Sequence, residues 1–237
     1  MALHFLLDDP TGARVGDAVT LTGSEAHHAA AVRRVRSGEL VTVGDGRGAW
    51  LTGECEAVTP REVVVRITHR IDTPAATPRI VLAQALAKGD RDELAVQAAT
   101  ELGASGVIPW SAERSVTRWD AAKAEKGRAR WEAIVREASK QSIRAWVPSV
   151  EPLHTPKQLA ALETVLVLDP TATTPLTAVE LPESGSIHLV VGPEGGISER
   201  EFEFIGGTRV RLGAEVLRTS TAGPAALAVL NARLGRW

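Results

Sequence analysis

Ile187-His188-Leu189-Val190-Val191-Gly192-Pro193-Glu194-Gly195-Gly196-Ile197-Ser198-Glu199-Arg200-Glu201 is the stretch that decides the fold. Its first five residues are apolar and rich in β-branching, which predicts a short central strand buried on both faces, as in a parallel sheet. Ser198 and Glu201 have the spacing of a capping box, so a helix opens directly after the turn. Within that turn Pro193 fixes its own φ. Gly195 and Gly196 permit positive φ and let a ligand approach the backbone. Ligands of open α/β sheets sit at such carboxyl ends of strands. The turn has no Gly-Lys-Ser or Gly-Lys-Thr ending and lacks the glycine spacing of the dinucleotide fingerprint, so neither phosphate-loop class applies. A turn that needs glycine for geometry alone is the plain alternative.

Moving outward, Arg209-Val210-Arg211-Leu212 reads as another strand, and a helix rich in alanine and leucine opens near Ala222. Between them Gly213-Ala214-Glu215-Val216-Leu217-Arg218-Thr219-Ser220-Thr221 crowds three hydroxyls and an arginine at the helix start, more than one N-cap needs. Upstream, Val165-Leu166-Val167-Leu168 is a second central strand, and Thr155-Pro156 opens a helix in the cap-and-proline order. A long basic helix precedes it, with Trp131, Ile134, Val135 and Ala138 inward. Asp90 caps a helix that turns Leu94, Ala98 and Leu102 to one face and stops at Gly103. Arg79 to Leu86 is a further strand. Strands alternating with helices predict an α/β domain with a mainly parallel sheet.

The first seventy residues read differently. Ala18–Leu21, Leu40–Val43, Trp50–Val58 and Glu62–Ile71 are short strands, with Gly44-Asp45-Gly46 as a tight reversal. Ser24 caps one helix, which ends at Gly38. So many short strands suggest a small β-barrel, which hides its sheet edges. Asp72-Thr73-Pro74-Ala75-Ala76-Thr77-Pro78 disfavours regular structure. The expected domains are therefore a barrel over 1–72, a linker over 73–78 and the α/β domain over 79–237.

Composition narrows the function. Among 237 residues, 44% are apolar and 24% charged, which fits an ordinary globular chain. No apolar run reaches the roughly 18 residues of a membrane span, and His4 to Pro10 lacks the flanks of a leader, so a cytoplasmic protein is expected. The single cysteine, Cys55, rules out an internal disulfide and a thiolate metal cluster. A formal net charge of -2 argues against indiscriminate nucleic-acid binding but leaves room for local basic surfaces. Arg33, Arg34 and Arg36 form one candidate surface. The stretch from Ala112 to Trp146, with nine Lys or Arg against five Asp or Glu, forms another. A solvated helix face is the bland reading of each.

Taken in order, Lys88-Gly89-Asp90-Arg91, Thr100-Glu101-Leu102-Gly103, Ser111-Ala112-Glu113-Arg114-Ser115, Gly192 to Gly196 and Leu217-Arg218-Thr219 resemble the 16S ribosomal RNA uridine-N3 methyltransferase family, of the SPOUT class. Leu21-Thr22-Gly23-Ser24-Glu25-Ala26-His27-His28 and Gly44-Asp45-Gly46 resemble that family's small RNA-binding barrel of PUA type. The resemblance spans nearly the whole chain. It implies a C-terminal trefoil knot, an exception to the rule that chains do not thread loops. It also implies a homodimer acting on the small ribosomal subunit, with S-adenosylmethionine as methyl donor. The donor site would comprise Leu168, Gly192, Pro193, Glu194, Gly195, Leu212, Gly213, Leu217, Arg218, Thr219, Ser220, Thr221 and Ala222. RNA would meet Arg33, Arg34, Arg36, Lys88, Arg91, Arg114 and Arg144. The chain departs from the commoner family pattern in Ser220 and in Lys140, where glutamate is frequent, and in Gly223-Pro224.

Transfer of a sulfonium methyl is an in-line displacement, so positioning and exclusion of water dominate and no metal is required. Loss of the uridine N3 proton places negative charge on the flanking carbonyl oxygens, and Arg218 is the candidate to stabilise it. Glu194 is the nearest candidate base. Three rival readings stay open: a noncatalytic knotted RNA-binding protein, a related enzyme acting on another RNA position, and a general nucleotide-binding α/β enzyme.

Overall fold

The computed structural model describes residues 3–9 and 11–237; Pro10, at the end of the stretch weighed above as a leader, lies outside them. The chain divides into two compact units. The first holds the residues up to Ala75 together with Ser139–Val147, and the second holds Ala76–Ala138 and Pro148–Trp237.

In the first unit, β1 (Leu3–Leu6), β2 (Ala18–Thr22), β3 (Leu40–Gly44), β4 (Ala49–Val58) and β5 (Glu62–Asp72) form one sheet in the order β1-β3-β4-β5-β2. Only β1 and β3 run parallel; the other pairs are antiparallel. Alternate residues point inward, as the period of two demands. Phe5 from one edge strand and Val19 and Leu21 from the other share a core with Val41, Val43, Leu51, Val63, Val65 and Ile67. Both edges can reach one core only if the sheet curls. The predicted tight reversal is present: the Asp45 carboxylate accepts the N–H groups of Arg47 and Ala49, and Gly46 takes φ 65°.

Three sequence expectations change in this unit. Strand β1 was not foreseen, because His4 to Leu7 is too short to show a period. The helix expected from Ser24 to Gly38 is shorter. It consists of α1 (Gly23–His27) and a wider π-type turn (His28–Val32), and Arg34 then takes φ 55°. Thr22, not Ser24, holds the cap position, without a side-chain bond. Lastly, continuity along the chain puts Ser139–Val147 in the second domain. Its backbone instead bonds the barrel, with Gly48 N–H to Ala145 O at 3.0 Å and Val147 N–H to Gly46 O at 2.9 Å. Lys140 meets Glu25 at 2.8 Å with both side chains only 6% exposed. This places the departure at Lys140 in a buried ion pair, whose partner lies 115 residues away.

In the second unit, β6 (Arg79–Ala85), β7 (Gly106–Trp110), β8 (Ser149–Val150), β9 (Val165–Leu168), β10 (Ser186–Val191) and β11 (Thr208–Val210) form a wholly parallel sheet, ordered β11-β9-β10-β6-β7-β8. β9 and β10 are interior, as their apolar runs predict. The helices are α2 (Arg91–Glu101), α3 (Ala121–Gln141), α4 (Pro156–Leu159), α5 (Glu199–Ile205) and α6 (Thr219–Arg233). The expected capping box of Ser198 with Glu201 forms, and Thr155, the expected cap ahead of Pro156, makes a second one with Gln158. Two details of the sequence reading fail. Helix α2 buries Ala95, Val96, Ala99 and Thr100 and leaves Leu94 half exposed, so its inward face lies about a third of a turn from the expected one. Helix α6 starts at Thr219, three residues early, and its Gly223 passes so near β6 that a Cβ there would stand 2.8 Å from Leu82 Cδ1. Among the described residues no helix is long and apolar enough to cross a membrane.

Candidate functional site

The carboxyl ends of β9, β10 and β11 face a cavity of about 680 Å³, the location expected for a ligand of an open parallel sheet. It brings together Leu168, Gly192, Pro193, Glu194, Leu212, Gly213, Leu217, Arg218, Thr219 and Ala222. Gly195, Ser220 and Thr221 do not line it. Gly195 is turned toward Arg114, whose Cβ would stand 2.9 Å from a Cβ added there, and its φ is not positive. Glycine at 195 therefore answers to a neighbouring side chain, and the positive φ falls on Gly196 at 74°. Ser220 and Thr221 lie within the early first turn of α6, where the Thr221 hydroxyl returns to the Arg218 carbonyl at 3.1 Å.

Two segments wall the cavity, and they are built differently. The glycine turn is tied to the rest of the unit. Trp110 Nε1 donates to Val191 O at 2.9 Å, Thr219 Oγ1 to Gly192 O at 2.8 Å, and Arg114 Nη1 to Gly195 O at 3.1 Å. Gly196 N–H closes the turn on Pro193 O. Glu194 Oε1 accepts from the Lys88 amide at 3.1 Å and from Arg91 Nη1 at 2.9 Å. Burial pushes the Glu194 carboxyl up, but these donors and its own amide outweigh it and hold the group below the usual carboxylate range. A general base needs raised basicity, so the geometry makes Glu194 an anchor between two loops.

The segment from Leu212 to Leu217 makes no such bonds. Among the described residues none of its backbone N–H or C=O groups pairs with protein, while Val216 and Leu217 stand 77% and 41% exposed. A row of free peptide groups beside apolar Leu168, Leu212 and Ile197 suits a heteroaromatic ligand read by main-chain bonds. Gly213 adds room, since a Cβ there would find nothing nearer than 3.9 Å. Arg218 follows at the cap position of α6, exposed and, among the described residues, without an ion-pair partner.

The sequence reading missed one corner of the cavity. Asp169, buried at the end of β9, accepts Thr171 N–H at 2.9 Å and Arg209 Nε at 2.7 Å, and Arg209 lies 3.9 Å over the Phe202 ring. Burial raises the Asp169 carboxyl, yet the Thr171 and Arg209 bonds prevail and keep it below its usual range. Its place directly after an apolar strand was the available clue.

Of the residues expected to meet RNA, Arg91 and Arg114 line this cavity. Lys88 is exposed beside it in sequence, and Arg33, Arg34 and Arg36 are exposed on the first unit. Arg144 differs: it belongs to the first unit and is largely covered, and burial lowers it to about 10.

A parallel α/β sheet with a strand-end cavity and an attached curled β unit defines a two-domain ligand-binding protein of the α/β class. The RNA methyltransferase domain model matches residues 74–231 and the RNA methyltransferase PUA domain model matches residues 21–68, so the chain belongs to the RNA methyltransferase family. It is 40% identical to ribosomal RNA small subunit methyltransferase E of Mycobacterium bovis, covering 100% of this chain and 94% of that one. With the protein of the same name from Bacillus subtilis it shares 33% identity, over 90% and 89% of the two chains. A solved structure of ribosomal RNA small subunit methyltransferase E from Neisseria gonorrhoeae bound to S-adenosyl methionine superposes with a TM-score of 0.88. It is 31% identical and covers 98% of each chain. The second unit is accordingly a SPOUT-class α/β domain and the first a PUA-like one, as the resemblance implied.

Proposed function

We propose that this protein is an S-adenosylmethionine-dependent methyltransferase acting on N3 of a uridine in 16S rRNA of the small ribosomal subunit. The observation that carries the reading is the cavity itself: a bonded glycine turn on one side, a row of unpaired peptide groups on the other, and an unpaired guanidinium at the rim. Its volume, apolar lining and free backbone groups fit a nucleoside donor. When bound, S-adenosylmethionine supplies a methyl group activated by a sulfonium centre. Leu168, Gly192, Leu212, Gly213 and Leu217 would hold it, with main-chain groups reading the adenine. Arg218 stands where a planar fork of donors can face the uracil edge and stabilise the charge left as N3 loses its proton. Glu194 keeps the glycine turn in place through Lys88 and Arg91. The exposed arginines of the first unit supply phosphate contacts, and the protein works as a cytoplasmic homodimer, as the sequence resemblance implies.

Incubating unmodified small subunits with labelled donor, then mass-mapping the modified nucleoside, tests the reading. Label in 3-methyluridine of 16S rRNA is the expected result. Label in another nucleoside would reassign the target, and donor binding without transfer would favour the noncatalytic alternative.

A further inference from the structure

Gln84 belongs to no part of the site described so far. It is fully buried near the end of β6, between its partners Val191 of β10 and Pro109 of β7, and it does not line the cavity. Its Nε2 donates to Thr219 Oγ1 at 2.8 Å, 135 residues along the chain. The Thr219 hydroxyl in turn donates to Gly192 O at 2.8 Å. A hydroxyl has one hydrogen, so Thr219 spends it on Gly192 and must accept from Gln84. This fixes the amide, with Nε2 toward Thr219 and Oε1 away. Gln84 Oε1 then has no partner among the described residues.

A buried acceptor left unpaired weakens a fold, so an apolar residue of the same length would serve the core better. The gain from glutamine lies in the link. Gly192 begins the bonded turn and Thr219 opens α6 two residues after the unbonded segment, and both line the cavity. The relay thus joins the two walls to the most rigid element available, a central strand. We infer that Gln84 is a positioning residue for the methyl-donor site: through Thr219 it sets the spacing of the two walls. This inference rests on the donor-site reading proposed above.

The test uses the full-length protein and S-adenosylhomocysteine as probe, with binding measured by calorimetry and folding by thermal melts. Binding to the wild-type protein comes first, because its absence overturns the donor-site reading itself. Given that binding, Gln84→Met should weaken affinity roughly tenfold, as for loss of a coupled link. Thr219→Val should weaken it similarly, and the Gln84→Met/Thr219→Val double variant no further. Thr219→Ser, which keeps the hydroxyl, should restore near wild-type affinity. Undiminished affinity in Gln84→Met, or losses that add in the double variant, would overturn the inference. Should Gln84→Met fail to fold, the contrast between Thr219→Val and Thr219→Ser decides it: equal affinities overturn the relay.

Discussion

The two walls of the cavity show opposite solutions to the same problem. Residues 191–196 spend their carbonyls on Trp110, Thr219, Gly196 and Arg114, and their one carboxylate on Lys88 and Arg91. The backbone groups of residues 212–217 bond to no other described residue. A wall whose polar groups are satisfied internally can give shape but little recognition. A wall whose groups are free can recognise, but something else must hold it in place. The pairing of the two is what makes the site selective and still defined in shape, and Thr219 is where they meet.

The largest effect should come from the end of the free wall. Arg218→Ala should leave folding and donor binding near normal and slow methyl transfer at least about a hundredfold, the lower end for losing one anion-stabilising donor. Arg218→Lys should recover little, since a point charge does not reproduce the fork. Single-turnover assays at saturating donor check both, and a loss of donor affinity would move Arg218 into the donor pocket. Next, Gly195→Val should disturb the bonded wall. Its branches would meet Arg114 at a Cβ distance of 2.9 Å, and such overpacking costs about 1–3 kcal/mol, which a thermal melt should register together with weaker donor binding.

Gly213→Ala probes the free wall in the opposite manner. A methyl group there would meet only Glu215 Oε2, at an unstrained 3.9 Å, so the melting temperature should hold while donor affinity falls severalfold. Unchanged affinity would mean that no ligand approaches this residue. The smallest effect belongs to Glu194→Gln. Its side chain and that of Arg91 are 27% and 41% exposed, so the pair should contribute about 0–1 kcal/mol and the variant should still transfer methyl. The pH dependence has a definite sign: the folded carboxyl lies below its ordinary 4.5, so its contribution is present above that value and disappears as pH falls through the folded pKa. Urea titrations of wild type and Glu194→Gln should converge in strong acid. Abolished transfer in Glu194→Gln would restore the carboxylate as a base.

How much of this was legible depended on distance along the chain. β10, the glycine turn and the Ser198 capping box are local, because a strand period, a turn conformation and a cap each need only neighbouring residues. The strand-end rule then located the cavity. What was not legible was decided by partners far away. The contact of Gly195 with Arg114 joins residues 81 apart in the chain. Lys140 read as part of a solvated basic helix, and its burial against Glu25 was invisible without the fold. Ser220 and Thr221, given to the donor site by the family resemblance, fall in the first turn of α6, which starts three residues before the expected Ala222.

From the sequence alone followed the α/β class of the second unit, its interior strands, the small β unit ahead of it, and the order of motifs that ties the chain to its family. These depend on short-range backbone preferences and on the alternation of apolar residues, which any stretch of chain carries with it. Tertiary structure alone decided that Ser139–Val147 completes the first unit, that Asp169 and Arg209 close one corner of the cavity, and that Gln84 reaches Gly192 through Thr219. Each of these is a hydrogen bond or ion pair between residues remote in sequence. The fold must first bring such groups within about 3 Å before their chemistry exists at all.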